Sequence, residues 1–322
     1  MAKNFQNFIN GKWKDAASGK TFENRNPANW DEVLGTFPLS GREDVDEAVK
    51  AARKAFEHWR LVPAPRRGDI LRKVGDLMTA RKEDLARTMT KEMGKVLLET
   101  RGDVQEGIDT AYYAATEGRR LFGRTVPSEL PNKFNMAIRT PIGVAGIITP
   151  WNFPMAIPTW KIFPALVCGN TIVFKAASDT PETATRLVEI LLEAGIPEGV
   201  VNIVHGGGGQ VGMGIVEHPD VDLISFTGST GVGKKISEVA GKDLKRVSLE
   251  LGGKNAQIVM EDANLELALE GVLWGAFGTT GQRCTATSRL ILHEKVYDTF
   301  LSMLVAGTKK LRLGDGLKDN VD

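Results

Sequence analysis

The sequence predicts an α/β fold: a Rossmann-like parallel sheet followed by the first part of a second α/β unit. Three observations carry this. First, from Pro141 onward short apolar runs at 144–148, 171–174, 200–204, 221–226 and 247–251 alternate with helix-length segments at 181–194, 210–217 and 230–240. That alternation is the pattern of parallel strands covered on both faces by crossover helices. Second, the same pattern restarts as a strand at 256–260, a helix at 264–277, a strand at 289–292 and a helix at 295–310. Third, glycines 206–209, 228, 231 and 252–253, among the 35 of the chain, stand in the turns after these strands, where the backbone must bend sharply or come close to a neighbour.

The elements before Pro141 have a different character. Phe5, Phe8 and Ile9 precede Asn10-Gly11, and Trp13 follows, which reads as two short strands joined by an Asn-Gly turn. Residues 44–59 place Val45, Ala48, Val49, Ala52 and Phe56 at helical spacing after the Ser40-Gly41 break. A second helix after Pro65 carries Ile70, Leu71, Val74, Leu77 and Met78, and a third spans 99–122, ended by Gly123. Between 124 and 140 the prolines 127 and 131 and the alternating Phe134, Met136 and Ile138 indicate an extended arm or half-exposed strand.

Composition narrows the function. The 322 residues carry 41 Lys+Arg against 40 Asp+Glu, a net charge of +1. This balance gives no electrostatic footprint for nucleic acid or an anionic membrane. At about 150 residues per domain the length suggests two domains. Two cysteines are no disulfide framework, and the four histidines at 58, 205, 218 and 293 lack metal-ligand spacing, so no metal is expected. Residues 1–10 lack the apolar core and cleavage site of a signal peptide. The longest apolar stretch, 155–174, is interrupted by Pro158, Lys161, Pro164 and Asn170, and reads as a buried segment, not a membrane span. A cytoplasmic protein with reduced thiols is expected.

Several positions invite a chemical reading, and each has a plainer alternative. Phe226-Thr227-Gly228-Ser229-Thr230-Gly231 leads from an apolar strand into a helix. Free N–H groups and the positive dipole end of such a helix suit a phosphate, although the spacing is neither the dinucleotide fingerprint nor a P-loop, and an ordinary turn fits equally. Lys175 closes the run 171–174, at the strand end where open parallel sheets bind ligands, although on spacing alone a surface lysine capping the strand is the preferred reading. His205 and Gly206 to Gly209 read as a flexible turn, with no charged partner nearby. Cys168 lies among apolar neighbours and reads as a small hydrophobe. Cys284, in a small polar run beside Arg283, is either a loop thiol or, if it begins a helix, a thiolate nucleophile. Glu250 ends an apolar strand, where a partly buried carboxylate would be a candidate general base.

Together the segments 149–154 (TPWNFP), 226–229 (FTGS), 249–255 (LELGGKN) and 281–285 (GQRCT) resemble the aldehyde dehydrogenase superfamily, in order and spacing, over essentially the whole chain. The resemblance implies a nicotinamide-dependent oxidation of an aldehyde to an acid. Cys284 would attack the aldehyde to form a thiohemiacetal, with Asn152 and the Cys284 N–H as oxyanion donors. After hydride transfer to the nicotinamide, Glu250 would activate water to hydrolyse the thioester; acyl transfer to coenzyme A is disfavoured because that branch generally lacks this glutamate. Trp151, Lys175, Ser178, Gly228 and Ser229 would surround the cofactor. Where strict NAD users often carry a glutamate, this chain has Ser178, so NADP is expected, alone or alongside NAD.

The resemblance also divides the chain. Residues 1–122 and 141–250 would form the cofactor-binding domain, 123–140 an oligomerisation arm, and 251–322 an incomplete catalytic domain. Family members are longer, and the Glu-Ile-Phe-Gly-Pro segment that holds the nicotinamide ribose is absent. The chain therefore reads as a truncated form, with exposed apolar surface and unpaired sheet edges. A homo-oligomer of unusual arrangement and a small aldehyde substrate, of the kind used by bacterial semialdehyde or broad-range enzymes, are the expected partners. Two alternatives stand beside the dehydrogenase: a non-catalytic nucleotide-binding or self-associating remnant, and a cysteine esterase.

Overall fold

The computed structural model describes residues 3–322; Met1 and Ala2, which open the segment read above as lacking a signal peptide, lie outside the described residues. Near the N-terminus, β1 (Lys3–Asn4) pairs with the later β5, while β2 (Asn7–Ile9) and β3 (Lys12–Lys14) form an antiparallel hairpin. Asn10 and Gly11 turn it with φ values of 49° and 80°, the left-handed conformation a tight hairpin requires. A second hairpin, β4 (Thr21–Asn26) and β5 (Asn29–Pro38), precedes the helices.

Helices α1 (Arg42–Trp59) and α2 (Ala64–Ala80) bury the apolar faces expected of them, Val45, Ala48, Val49 and Ala52 in the first and Leu71, Val74 and Met78 in the second. A helix the patterning did not indicate follows: α3 (Lys82–Met93), which buries Leu85, Ala86 and Met89 and stops at Gly94. Then α4 (Leu97–Glu117) ends at Gly118, not at Gly123 as expected. The chain beyond it tightens into turns, with Arg119 N–H donating to Thr116 O (3.0 Å) and Arg120 N–H to Glu117 O (2.9 Å). Residues 124–140 hold a short hairpin of β6 (Arg124–Pro127) and β7 (Phe134–Ala137), paired antiparallel. Both strands are exposed on both faces, so the alternation of Phe134, Met136 and Ile138 marks no buried side.

The main sheet is as predicted from the second half of the sequence. It contains β8 (Val144–Ile148), β9 (Thr171–Lys175), β10 (Val201–Ile203), β11 (Leu223–Gly228) and β12 (Arg246–Leu251). Their order is β12-β11-β8-β9-β10, all parallel, and the β2–β3 hairpin extends the sheet beyond β10. The connecting helices are α5 (Ala156–Val167), α6 (Pro181–Ala194), α7 (Met213–Glu217) and α8 (Thr230–Lys242). β8 and β9 are buried along their whole length between two apolar layers. One layer joins α2, α4, α5 and α6 through Leu71, Val104, Phe163 and Leu187; the other joins α1, α7 and α8 through Val49, Ile215 and Ile236. Residues 155–174 are thus α5 and β9, a buried segment, and no described helix is long and apolar enough to cross a membrane.

After the sheet comes a smaller unit: β13 (Asn255–Val259), α9 (Leu265–Phe277), β14 (Thr287–Leu292) and α10 (Tyr297–Thr308), with β13 and β14 parallel to each other. Asn264 caps α9 by accepting from Glu266 N–H and Leu267 N–H, both at 3.1 Å. As expected, apolar side chains are left in the open: Ile258 is 62% exposed, Trp274 56% and Ile291 50%.

The start of α6 fixes the loop that follows β9. Thr180 gives α6 no side-chain cap; instead the buried Glu92 carboxylate, from the end of α3, accepts Glu182 N–H (2.6 Å), Thr183 N–H (2.7 Å) and Thr183 Oγ1 (2.7 Å). Replacing it leaves these donors buried and unpaired. Glu92→Ala should lower the unfolding free energy by about 2–4 kcal/mol in a denaturant titration; a loss under about 0.5 kcal/mol would contradict this role.

Candidate active site

The carboxyl ends of β8, β9 and β11 bring together most of the residues singled out from the sequence. Lys175 ends β9 and is 7% exposed; desolvation holds its ammonium below the ordinary lysine value, partly offset by Asp179. Ser178, three residues on, donates to Gly206 O at 3.2 Å, which joins the loop after β9 to the loop after β10. Gly228 ends β11, where a Cβ would lie 2.4 Å from the Phe226 ring, so a larger residue would displace that ring. Ser229 caps α8, accepting from Val232 N–H at 3.4 Å. Beside them Thr149, just past β8, has a buried hydroxyl with no hydrogen-bond partner.

These groups fit a phosphorylated dinucleotide. An almost fully buried ammonium, two serine hydroxyls, an orphaned threonine hydroxyl and the N-terminus of a thirteen-residue helix lie along one sheet edge. The run of glycines after β10 differs from expectation. His205 lies with its ring Nε2 3.2 Å from Thr185 Oγ1 and edge-on to Phe37; burial, helped by the charge of Lys175, pushes its pKa down to about 3. Gly208–Gly212 winds into a wide helical turn that continues as α7, so the segment is structured and does have a cationic neighbour.

Trp151 and Asn152 lie in the loop that follows β8. The loop 149–155 is held by Lys95, in the connection between α3 and α4, and by Asp103 of α4: Lys95 Nζ donates to Asn152 O (3.1 Å) and Asp103 Oδ2 (2.7 Å), and lies 4.1 Å from the centre of the Phe153 ring. Asp103 Oδ1 accepts Ala156 N–H at 2.7 Å. Neither Lys95 nor Asp103 exposes any side chain. Asn152 Nδ2 donates to Gln282 O at 2.9 Å, joining this loop to the one that carries Cys284. The Cys284 carbonyl accepts Asn255 Nδ2 at 2.7 Å.

Two expectations about these residues need correction. Cys284 does not begin a helix: α9 ends at Phe277, Gly278–Gly281 forms a single tight turn, and Cys284 follows in an exposed turn. Arg283 is also turned away from the thiol, stacked over Trp274 at 4.8 Å and donating to Trp274 O. Glu250 is exposed, not partly buried. The reason is topological, since β12 is an edge strand whose residues alternate between cover and solvent. Val247, Leu249 and Leu251 pack toward the core, and Ser248 and Glu250 face out.

Both nevertheless open on one cavity of about 850 Å³, shared by Cys284, Glu250, Thr227 and Ser225 with Trp160 and Lys161 of α5. Lys161 was not anticipated from the sequence, where it merely interrupts an apolar run. Its Nζ donates to Ser225 Oγ at 3.1 Å, and burial pushes its pKa down to about 8, opposed by the charge of Glu250. Among the described residues no group of three His, Cys, Asp or Glu is disposed to hold a metal.

A parallel sheet with a buried lysine, hydroxyls and a helix N-terminus along its carboxyl edge, and an exposed thiol and a carboxylate lining one cavity, defines the class: an α/β protein with a crevice of nucleotide-binding type at its strand ends. Residues 13–322 match the aldehyde dehydrogenase family, and the chain belongs to that family. It is 44% identical over 317 residues to the alpha-ketoglutaric semialdehyde dehydrogenase of Bacillus subtilis, covering 98% of this chain and 65% of that one. It is 43% identical over 316 residues to the NADP(+) succinate-semialdehyde dehydrogenase of Escherichia coli, covering 98% and 65%. A solved structure of an NADP dependent enzyme from E. coli superposes with a TM-score of 0.96 at 43% identity, covering 99% of this chain and 66% of that one. The chain thus spans about two thirds of the length of these relatives.

The Lys161 amine should acylate with a midpoint near its pKa of about 8, and react at neutral pH well ahead of exposed lysines. Competitive labelling with acetic anhydride, read by peptide mass mapping across pH, measures this. A midpoint near 10.5 would contradict the burial argument.

Proposed function

We propose that the chain carries the machinery for NADP- or NAD-dependent oxidation of an aldehyde, with Cys284 as nucleophile, Asn152 as oxyanion donor and Glu250 as general base. The observation that carries this reading is the hydrogen bond from Asn152 Nδ2 to Gln282 O, two residues before Cys284. It ties the Asn152 amide to the loop that carries Cys284 and leaves the second amide hydrogen free to donate to a substrate oxygen. The Cys284 sulfur would add to the aldehyde carbon, placing negative charge on the former carbonyl oxygen. When bound, a nicotinamide dinucleotide supplies the hydride acceptor for that carbon. Glu250, across the same cavity, would then take a proton from the water that cleaves the Cys284 thioester to acid and thiol.

Residues 1–122 and 141–250 are assigned to cofactor binding on this reading, 123–140 to an oligomerisation arm, and 251–322 to the catalytic region. Trp151, Lys175, Ser178, Gly228 and Ser229 would line the cofactor crevice. Lys175 and Ser178 would hold the adenosine ribose and its 2′-phosphate, since no carboxylate stands at position 178 to repel it. The substrate class is an aldehyde bearing a carboxylate. The cavity that holds Cys284 is lined by Arg60, Arg139 and Lys161 against the single carboxylate of Glu250, which suits an anion. Two of the relatives are semialdehyde dehydrogenases, in keeping with such a substrate.

Two measurements test the reading. With NADP and succinic semialdehyde the chain should form NADPH, and Cys284→Ala should abolish it. Cofactor binding with no turnover would favour the non-catalytic alternative, and ester cleavage lost in Cys284→Ala without NADPH formation would favour the esterase. Separately, Ser178→Glu should weaken NADP binding by roughly tenfold or more while leaving NAD binding nearly unchanged, measured by quenching of tryptophan fluorescence. Equal effects on the two would remove Ser178 from the 2′-phosphate site.

A further inference from the structure

The turn that leads into Cys284 has an unusual backbone. Thr279 and Thr280 adopt φ values of 51° and 53°, and Gly281 follows at 71°. β-branched residues resist the left-handed region, so two in succession are stable only where their surroundings impose the conformation. The imposing group lies on another element. Glu99, in the first turn of α4, accepts the Thr279 N–H with both carboxylate oxygens (2.8 and 3.0 Å) and the Thr279 hydroxyl at 3.1 Å. Thr279 is 3% exposed, whereas Cys284, five residues later, is exposed. From Thr279 the constraint continues through Gln282 N–H to Thr279 O (2.9 Å), and through Gln282 O to Asn152 Nδ2 (2.9 Å).

We infer that Glu99 is a positioning residue for Cys284, clamping the left-handed Thr279–Thr280 turn so that the thiol and the Asn152 amide converge on one carbonyl. The inference rests on the reading of Cys284 as nucleophile. Glu99 touches no reacting atom. Its position in the first turn of α4, where the helix dipole favours negative charge, keeps the acceptor fixed from one side. The other end of this helix start is also held, since Leu97 N–H donates to Gly316 O at 3.0 Å. A carboxylate anchored to α4 can therefore hold the turn as a rigid clamp. Without it, the two threonines relax toward ordinary backbone angles and carry Gln282 and Cys284 with them.

The test uses p-nitrophenyl acetate, whose carbonyl the Cys284 sulfur attacks as p-nitrophenolate leaves, giving an S-acetyl cysteine that needs no cofactor. Acetylation of Cys284 is followed by mass spectrometry of the intact chain and its peptides, with Cys168 as internal reference for folding. Glu99→Ala should lower the saturating acylation rate roughly 10- to 100-fold with little change in the half-saturating ester concentration, as misplacement of a reacting group does. Glu99→Gln, which keeps one acceptor, should fall between, and decides the matter if labelling of Cys168 shows that Glu99→Ala has unfolded. Adding Thr280→Gly to Glu99→Ala should restore most of the rate, because glycine adopts the turn without the side-chain penalty. An unchanged rate in both Glu99 variants, or no rescue by Thr280→Gly, overturns the inference while leaving the nucleophile in place. No Cys284-dependent acylation in the parent chain overturns the nucleophile reading and this inference together.

Discussion

Lys95 and Asp103 form an ion pair from which water is wholly excluded, and the junction between the sheet and the Cys284 loop is built around it. Burying two opposite charges is costly, and attraction alone compensates poorly. The pair is tolerable because its remaining capacity is used: Lys95 reaches the Asn152 carbonyl and the face of Phe153, and Asp103 accepts Ala156 N–H. Burial still drives the Asp103 pKa upward, against the pull of Lys95 and the backbone donors. One consequence is that α4 cannot shift without uncovering a charge. The other is that the loop 149–155, which has no regular structure of its own, inherits the rigidity of α4.

The same helix start holds the second loop. Lys95 and Asp103 grip the segment containing Asn152, and Glu99 grips the turn before Cys284, within nine residues of sequence. The two gripped loops then bond to each other through Asn152 and Gln282. In the proposed reaction Cys284 and Asn152, on different units of the fold, would have to keep their separation to within a fraction of an ångström. Referring both to one helix end achieves that with three charged side chains. The sheet does the corresponding work for the crevice, since parallel register aligns the ends of β8, β9 and β11 without further bracing.

What could be read in the sequence follows from the range of the interactions. β8 and β9 were legible because a strand buried on both faces is apolar throughout, and α1 and α2 because their buried faces repeat at helical spacing. α3 was not, since Lys82, Glu83, Asp84, Arg87 and Lys91 dilute its narrow apolar face. Glu250 misled because burial of a strand depends on its neighbours in the sheet. β12 follows four sheet strands of similar appearance yet ends at the edge, which sequence order does not reveal. The environment of Cys284 misled for a like reason: Arg283 adjoins it in sequence, but the guanidinium turns to Trp274. Motifs singled out Cys284, Glu250 and Asn152 as candidates, whereas Lys95, Asp103, Glu99 and Lys161 carry no local signature. They are charged residues in or beside helices, and only the partner in the fold shows that they are buried or engaged.

The polar bracing of Cys284 also has a packing explanation. The sheet carries two large apolar layers, whereas the unit bearing Cys284 has a cluster with only Val259, Val272, Val296 and Phe300 fully covered. Side chains such as Ile258 and Ile291 are half or more exposed and contribute little to holding the backbone. Apolar burial is non-directional, and a cluster this small would leave a loop between α9 and β14 free to choose among several arrangements. Hydrogen bonds from Glu99, Asn152 and Asn255 act on specified backbone atoms at residues 279, 282 and 284 and remove that freedom. Where packing is thin, directional bonds to a rigid neighbour fix the geometry, and here each of them runs to the few residues that set where the thiol points.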